Sequence, residues 1–197
     1  MITSRTVSSL EKIFHDSEPT CASLSEMSML GNERASFQLA YFSDEDTHCG
    51  ISVSGWNPEN MKIYKVVEIN SDMPAYEDSD FYFLRKAPGP YPDMLEPVED
   101  GTFLVEKGHY GSMWIELDAS GESAGKHDLF VTVSKGKETV TNVITVDVIP
   151  AKLPAQELMC TMWFHCDCLA TYYKVDVFSE EHWRIIENYV KNAAAHG

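Results

Sequence analysis

The strongest constraint on the fold is an alternation of apolar and polar residues that continues through residues 35–150. Successive side chains of a β-strand point to opposite faces, so a period of two predicts strands with one buried face. Polar turn residues interrupt the alternation, and Lys135-Gly136-Lys137 predicts the turn of a hairpin. Short strands at regular spacing are typical of an antiparallel β-sandwich. The predicted strands lie within residues 36–42, 51–53, 62–66, 113–117, 128–134 and 139–149.

These strands contain enough apolar side chains to form a hydrophobic core. The chain is 44% hydrophobic, which makes global disorder a poor description of it. A large apolar side chain that becomes fully buried stabilises a fold by about 1.5–3 kcal/mol. We expect the core to contain Phe37, Leu39, Tyr41, Trp114, Ile115, Leu117, Val131, Val133, Ile144 and Val146.

A proline-rich segment, residues 70–97, interrupts the strand pattern. Proline lacks a backbone N–H and restricts the residue before it to extended conformations. The sequence therefore predicts a long extended excursion that is not part of a sheet. The segment is also rich in aromatic residues, so we expect it to pack on something, such as a neighbouring domain.

A second change of pattern begins at the short connector that follows the last predicted strand. Residues 158–164 are almost continuously apolar, as in a strand of a parallel sheet that is buried on both faces. Ser179 is a suitable N-cap for a helix, and Glu180 and Glu181 suit its positive end. One face of that helix would carry Trp183, Ile186, Tyr189, Val190 and Ala193. These residues predict one β/α unit, whose apolar helix face is exposed unless it docks on another element.

The charge balance limits the possible partners. The formal net charge is −16, whereas nucleic acids and anionic membranes are bound through clustered Lys and Arg. No apolar run reaches the length of about 18 residues that a transmembrane helix needs, and the first residues lack the apolar region of a signal peptide. We therefore expect a cytoplasmic protein with no nucleic-acid or membrane partner, and nothing in the sequence requires a cofactor.

The residues after the predicted buried strand are the best candidates for a site. His165 and Asp167 follow this strand, at the end where α/β folds carry their ligand-binding groups. They can hydrogen-bond sugar hydroxyls, while Trp163, Tyr172 and Tyr173 offer aromatic faces. An equally simple interpretation makes His165 a core histidine with satisfied hydrogen bonds and makes the tyrosines packing residues.

Two other interpretations of this segment have less support. A zinc site would use Cys160, His165, Cys166 and Cys168, but these lack the paired Cys-x-x-Cys spacing of structural zinc sites. In a strand, Cys166 and Cys168 share one face while His165 lies on the other. That arrangement also argues against a cysteine nucleophile with His165 as its base. We therefore assign no metal ligand and no catalytic residue.

Several motifs together resemble an uncharacterised bacterial family of glycoside-hydrolase-like proteins, of the domain of unknown function 4091 type. In that family an amino-terminal β-sandwich precedes a (β/α)8 barrel. The motifs are NERASFQL (32–39), PGPYPDML (88–95), SAGKH (123–127), WFHCDCLA (163–170) and FSEEHW (178–183).

The resemblance implies an immunoglobulin-like sandwich (1–150), a connector (151–156) and the first strand and helix of a truncated barrel (157–197). The protein would act on carbohydrate, with the barrel as an intramolecular partner and with His165 and Asp167 in the substrate cleft. Glycoside hydrolysis needs two carboxyl groups about 5–10 Å apart, and no such pair can be assigned, so we expect no hydrolysis by this fragment. The alternative is a non-enzymatic carbohydrate-binding or adhesion-like sandwich.

Overall fold

The computed structural model describes residues 1–72, 75, 78, 83–155, 157, 161 and 163–195 of the 197-residue chain. The chain divides into two compact units, Met1–Pro154 and Ala155–Gly197. Ten strands form in the described part of the first unit. They are β1 (Ile2–Ser8), β2 (Glu26–Leu30), β3 (Arg34–Ser43), β4 (Thr47–Ser54), β5 (Met61–Ser71), β6 (Gly89–Pro97), β7 (Thr102–Val105), β8 (Tyr110–Asp118), β9 (Gly125–Lys135) and β10 (Glu138–Ile149).

The strands form two five-stranded sheets, which confirms the predicted β-sandwich. The first sheet has the order β1-β3-β8-β5-β6, and the second has the order β2-β10-β9-β4-β7. The predicted hairpin at Gly136 joins β9 to β10, with Lys135 opposite Glu138. Neighbouring strands are antiparallel, except that β2 pairs in parallel with β10 at one edge of the second sheet. The fold is therefore mainly β, with one parallel pair.

The core lies between the two sheets. Tyr41 of the first sheet contacts Phe103 of the second, with ring centroids 5.0 Å apart. All of the predicted core residues are buried except Trp114, which is half-buried. Its neighbours Met113 and Ile115 are both completely buried. Met113 and Ile115 share the inner face of β8, so the alternation of the strand directs Trp114 to the outer face.

The prediction that the proline-rich segment is not part of a sheet was wrong for the second half of that segment. Residues Gly89–Pro97 form β6, an edge strand that pairs only with β5 among the described strands. An edge strand tolerates proline because half of its N–H groups have no neighbouring strand to bond. Met94 lies opposite Val67 and Pro92 lies opposite Glu68, so Asp93 is the extra residue of a bulge. The first half of the segment falls largely outside the described residues.

The described part of the second unit contains two helices, α1 (Asp167–Tyr173) and α2 (Glu180–Ala195). The predicted strand over 158–164 falls mostly outside the described residues, and Thr161, Trp163 and Phe164 are in neither helix nor strand. Leu169 and Ala170 of α1 are buried, as is Ile186 of α2. No helix in this or any other described segment has the length and apolar character needed to cross a membrane.

Candidate functional site

Three of the five residues predicted to form a site lie at or just before the beginning of α1, and Tyr172 and Tyr173 are its last two residues. Trp163 and His165 lie in the irregular segment before the helix, Cys166 is its N-cap residue and Asp167 is its first residue. The strand geometry used to place Cys166 and Cys168 opposite His165 is therefore wrong for this segment. A helix start turns the backbone, so the period-two argument that separated His165 from the cysteines does not apply to this segment.

His182 connects the two helices and was missed by the sequence analysis. Its side chain is completely buried. Its Nδ1 accepts a hydrogen bond from the Phe178 N–H at 2.8 Å. Its Nε2 lies 2.8 Å from the carbonyl oxygen of Cys166. Because Nδ1 accepts, Nε2 carries the proton and donates to that carbonyl. His182 thereby holds the start of α1 against the turn that precedes α2.

The beginning of α2 confirms the predicted N-cap. The Ser179 Oγ accepts from the His182 N–H at 3.2 Å, and the Ser179 carbonyl oxygen accepts from the Trp183 N–H at 2.9 Å. Two acidic residues, Glu180 and Glu181, occupy the first turn, where the helix dipole favours negative charge. Ile186, the other buried residue of α2, follows His182 by one turn and lies on the same face of the helix.

A group of aromatic side chains surrounds Tyr173. Its ring packs edge-to-face against Tyr172 at 5.0 Å and against Tyr189 at 6.4 Å between centroids. The hydroxyl groups of Tyr173 and Tyr189 are 3.1 Å apart. This hydrogen bond raises the pKa of Tyr189 to about 12. Phe164 stacks on Tyr189 from the other side, at 6.3 Å. The structure thus brings two of the predicted site residues, Tyr172 and Tyr173, into one aromatic cluster.

The other predicted site residues present free side chains. Trp163 is 95% exposed, and His165 and Asp167 are also exposed. Within the described residues, the side chains of His165 and Asp167 make no hydrogen bond or ion pair. In this chain the buried histidine of the second unit is His182, and His165 is exposed.

The described residues do not contain a group of three or more His, Cys, Asp or Glu side chains arranged for a metal ion. The Cys168 thiol instead donates to the carbonyl oxygen of His165, with Sγ 2.8 Å from that oxygen. Cys160, the fourth residue of the zinc interpretation, lies outside the described residues. The four described cysteines, Cys21, Cys49, Cys166 and Cys168, are free thiols.

Replacing His182 by leucine is expected to loosen the second unit while leaving the sandwich intact. The change removes two hydrogen bonds and leaves a backbone N–H and a carbonyl without partners, at a cost of about 2–3 kcal/mol. Amide hydrogen exchange should show faster exchange in α1 and α2 and unchanged exchange in β3 and β8. Trp163→Ala is the matched control, because its exposed side chain supports no packing. Equal protection in the two variants would contradict this role of His182.

Comparison with known proteins gives a family match and a structural match that concern carbohydrate chemistry. The model of the family described as glycoside hydrolase 123, catalytic domain, matches residues 163–197. This match begins at Trp163 and covers both helices of the second unit. No curated protein sequence matches the chain.

Among solved structures, the chain is similar to a family 123 glycoside hydrolase from Clostridium perfringens that hydrolyses glycolipid glycans. The TM-score is 0.72 and the identity 17%, and the match covers 98% of this chain but 36% of that structure. A FixG-related protein from Vibrio parahaemolyticus matches with a TM-score of 0.39 and 9% identity, over 75% of this chain and 95% of that one. The chain is thus similar to family 123 glycoside hydrolases, in fold over almost all of its length and in sequence from Trp163 onward.

Proposed function

We propose that the chain is the amino-terminal part of a glycoside-hydrolase-like protein that acts on carbohydrate. The first unit is its accessory β-sandwich, and the second unit begins its (β/α)8 barrel. The barrel domain is then the intramolecular partner of the sandwich. The finer relationship to the domain of unknown function 4091 type and a cytoplasmic location stay predictions from the sequence.

The observation that carries this proposal is the position at which the catalytic-domain match begins. The sandwich unit ends at Pro154, and the catalytic-domain similarity starts at Trp163, in the unit that follows. The Clostridium perfringens structure matches almost all of this chain within 36% of its own length. Both similarities support an accessory sandwich followed by the start of a catalytic domain.

The exposed side chains near α1 provide suitable contacts for a sugar. Asp167 accepts hydrogen bonds from two hydroxyl groups, and His165 donates or accepts one. The aromatic rings of Trp163, Tyr172 and Tyr173 can pack on the apolar face of a sugar ring. We assign these five residues to substrate binding and none to the chemical step. We can assign no pair of catalytic carboxyl groups in the described part of this chain. We therefore expect the chain by itself to bind carbohydrate and not to hydrolyse it.

The test is a kinetic comparison on the protein encoded by the whole reading frame that contains this chain. Hydrolysis is measured on a panel of glycosides that includes glycolipid glycans. Asp167→Asn and His165→Ala are each expected to lower kcat/KM by roughly tenfold or more, mainly through KM, because each removes a hydrogen bond to substrate. Glu181→Gln is the control, since this exposed carboxylate of α2 lies outside the assigned site.

Two outcomes would contradict the proposal. One is that the full protein hydrolyses a substrate, and that the His165→Ala and Asp167→Asn variants have the same kcat/KM as the Glu181→Gln control. The other is that the protein encoded by the whole reading frame binds glycans saturably but hydrolyses none of the glycosides in the panel. The second result would instead establish a carbohydrate-binding sandwich without enzymatic activity.

A further inference from the structure

A second group of functional side chains lies in the sandwich and is independent of the carbohydrate proposal. It lines a cavity of about 260 Å³ beside strands β3, β5 and β8. Two histidines and two glutamates face this cavity, together with the ring of Tyr41 and the side chain of Ile13. The histidines come from different loops, since His15 follows β1 and His109 precedes β8. The two histidines and two glutamates are His15, Glu68, Glu106 and His109, and Lys65 and Ser112 also line the cavity.

His15 is held by Glu68 of β5. The Nδ1 atom of His15 lies 2.8 Å from Oε1 of Glu68. The same oxygen accepts the backbone N–H of His15 at 3.4 Å. An ionised carboxylate only accepts hydrogen bonds, so Nδ1 carries a proton. In the neutral ring, Nε2 then has a free lone pair.

His109 has the same arrangement with Glu106, three residues earlier in the turn. Its Nδ1 lies 2.9 Å from Oε2 of Glu106. The turn is closed by the His109 N–H, which donates to the carbonyl oxygen of Glu106 at 3.2 Å. Neutral His109 therefore also has its lone pair on Nε2. In the described part of the chain, neither His15 nor His109 has a hydrogen-bond partner at Nε2.

The backbone brings the two rings together. The N–H of Tyr110, next to His109, donates to the carbonyl oxygen of His15 at 2.9 Å. Ile13 is buried against Val7 and Ala40, which fixes the loop that carries His15. The ring centroids of His15 and His109 are 5.1 Å apart. Their side chains remain 25% and 49% exposed, so solvent and solutes can reach them.

This separation matches two imidazoles that share one metal ion. Zinc–nitrogen bonds are about 2.0–2.1 Å long, and a tetrahedral angle between two such bonds places the ring centroids about 5 Å apart. Metal-binding histidines characteristically donate their other ring N–H to a carboxylate, and both His15 and His109 do so. The two carboxylates also offset the charge of a divalent cation.

We propose that His15 and His109 bind a divalent transition-metal ion of the zinc type through their Nε2 atoms. Glu68 and Glu106 orient the two rings from the opposite side, and water completes the coordination in the open cavity. With two protein ligands the site is weaker than a structural zinc site of four. The bound ion would join the segment after β1 to the turn before β8, and it would stabilise the sandwich by mass action.

Calorimetric titration of the untagged chain with zinc chloride tests this site without reference to enzymatic activity. The titration uses a Cys160→Ser, Cys166→Ser, Cys168→Ser background, which removes the thiols of the second unit as competing ligands. One ion is expected to bind per chain. His109→Asn should weaken zinc binding at least about tenfold, and Glu68→Gln should weaken it by about 10–100-fold, the usual effect of losing a carboxylate that orients a ligand.

His48→Asn is the matched control, because it removes an exposed imidazole from β4 of the same unit. Its zinc affinity should equal that of the background protein. The proposal is overturned if the His15→Asn and His109→Asn variants bind zinc as the control does. It is equally overturned if no saturable binding is seen up to about 1 mM zinc, since millimolar affinity corresponds to only about 4 kcal/mol. Neither result affects the carbohydrate proposal, whose residues lie in the other unit.

Discussion

Replacing Phe37 by alanine is expected to lower the free energy of unfolding of the sandwich by about 3–5 kcal/mol. Phe37 lies near the start of β3 and is completely buried. It pairs with Ser8 of β1 and Ile115 of β8, on either side of β3. Truncation removes most of a large apolar side chain and leaves a cavity that the flanking backbone pairs prevent from closing.

Phe130→Ala is the matched control for Phe37. Phe130 lies in β9 of the other sheet and is 45% exposed, so its truncation leaves no enclosed cavity. Urea unfolding of both variants, followed by the fluorescence of the tryptophans, should give a much lower midpoint for Phe37→Ala. Similar midpoints for the two variants would show that the interior between the sheets is not the main source of stability.

Gly55→Ala is expected to lower the free energy of unfolding by at least about 3 kcal/mol, although it adds only one carbon atom. Gly55 follows β4 and has a φ of 95°, a conformation that costs residues with a Cβ roughly 1–2 kcal/mol. A Cβ at this position would also lie 2.1 Å from the carbonyl oxygen of Asp128. Since that oxygen belongs to the backbone of β9, relief requires β4 and β9 to separate.

Gly121→Ala distinguishes the two contributions at Gly55. Gly121 has a similar φ of 88°, but a Cβ there would meet nothing within 4 Å. Gly121→Ala should therefore lower the free energy of unfolding only by the strain of a positive φ, about 1–2 kcal/mol. Thermal unfolding of the two variants measures the difference directly. Equal melting temperatures would mean that Gly55 is not in close contact with the backbone of Asp128.

The sandwich could be predicted because its inner strands repeat one simple pattern. In β9, β10 and most of β8, buried residues alternate with more exposed ones. In β3 the sequence also alternates, although residues 37–41 are all buried in the fold. The same rule could not place Trp114. It is large and apolar, but its position between Met113 and Ile115 decides its face, and position outweighs hydrophobicity in a strand.

The edge of the first sheet was not predictable from the same rules. Pro92 and Pro97 argue against a strand in general, yet an edge strand needs only part of its N–H groups. Whether a segment is an edge depends on which strand lies beside it, which is information from the whole fold. The helix α1 was missed for a different reason, since its seven residues give too few turns for a helical period to emerge.

For the candidate site, too, the sequence indicated which residues matter but not how the fold arranges them. The segment around His165 was identified from its residue types, but the faces were assigned for a strand and not for the start of a helix. His182 could have been found, because it precedes Ile186 by one turn on the face predicted to be apolar. A polar residue on such a face is expected to have buried hydrogen-bond partners, and His182 has two.

The most direct test of the central claim is the sequence of the gene after the codon for Gly197. The account predicts that the reading frame continues, and that it encodes further strands and helices in alternation, as a (β/α)8 barrel requires. A stop codon directly after Gly197 in the native gene would contradict the account, because the second unit would then have no barrel to begin.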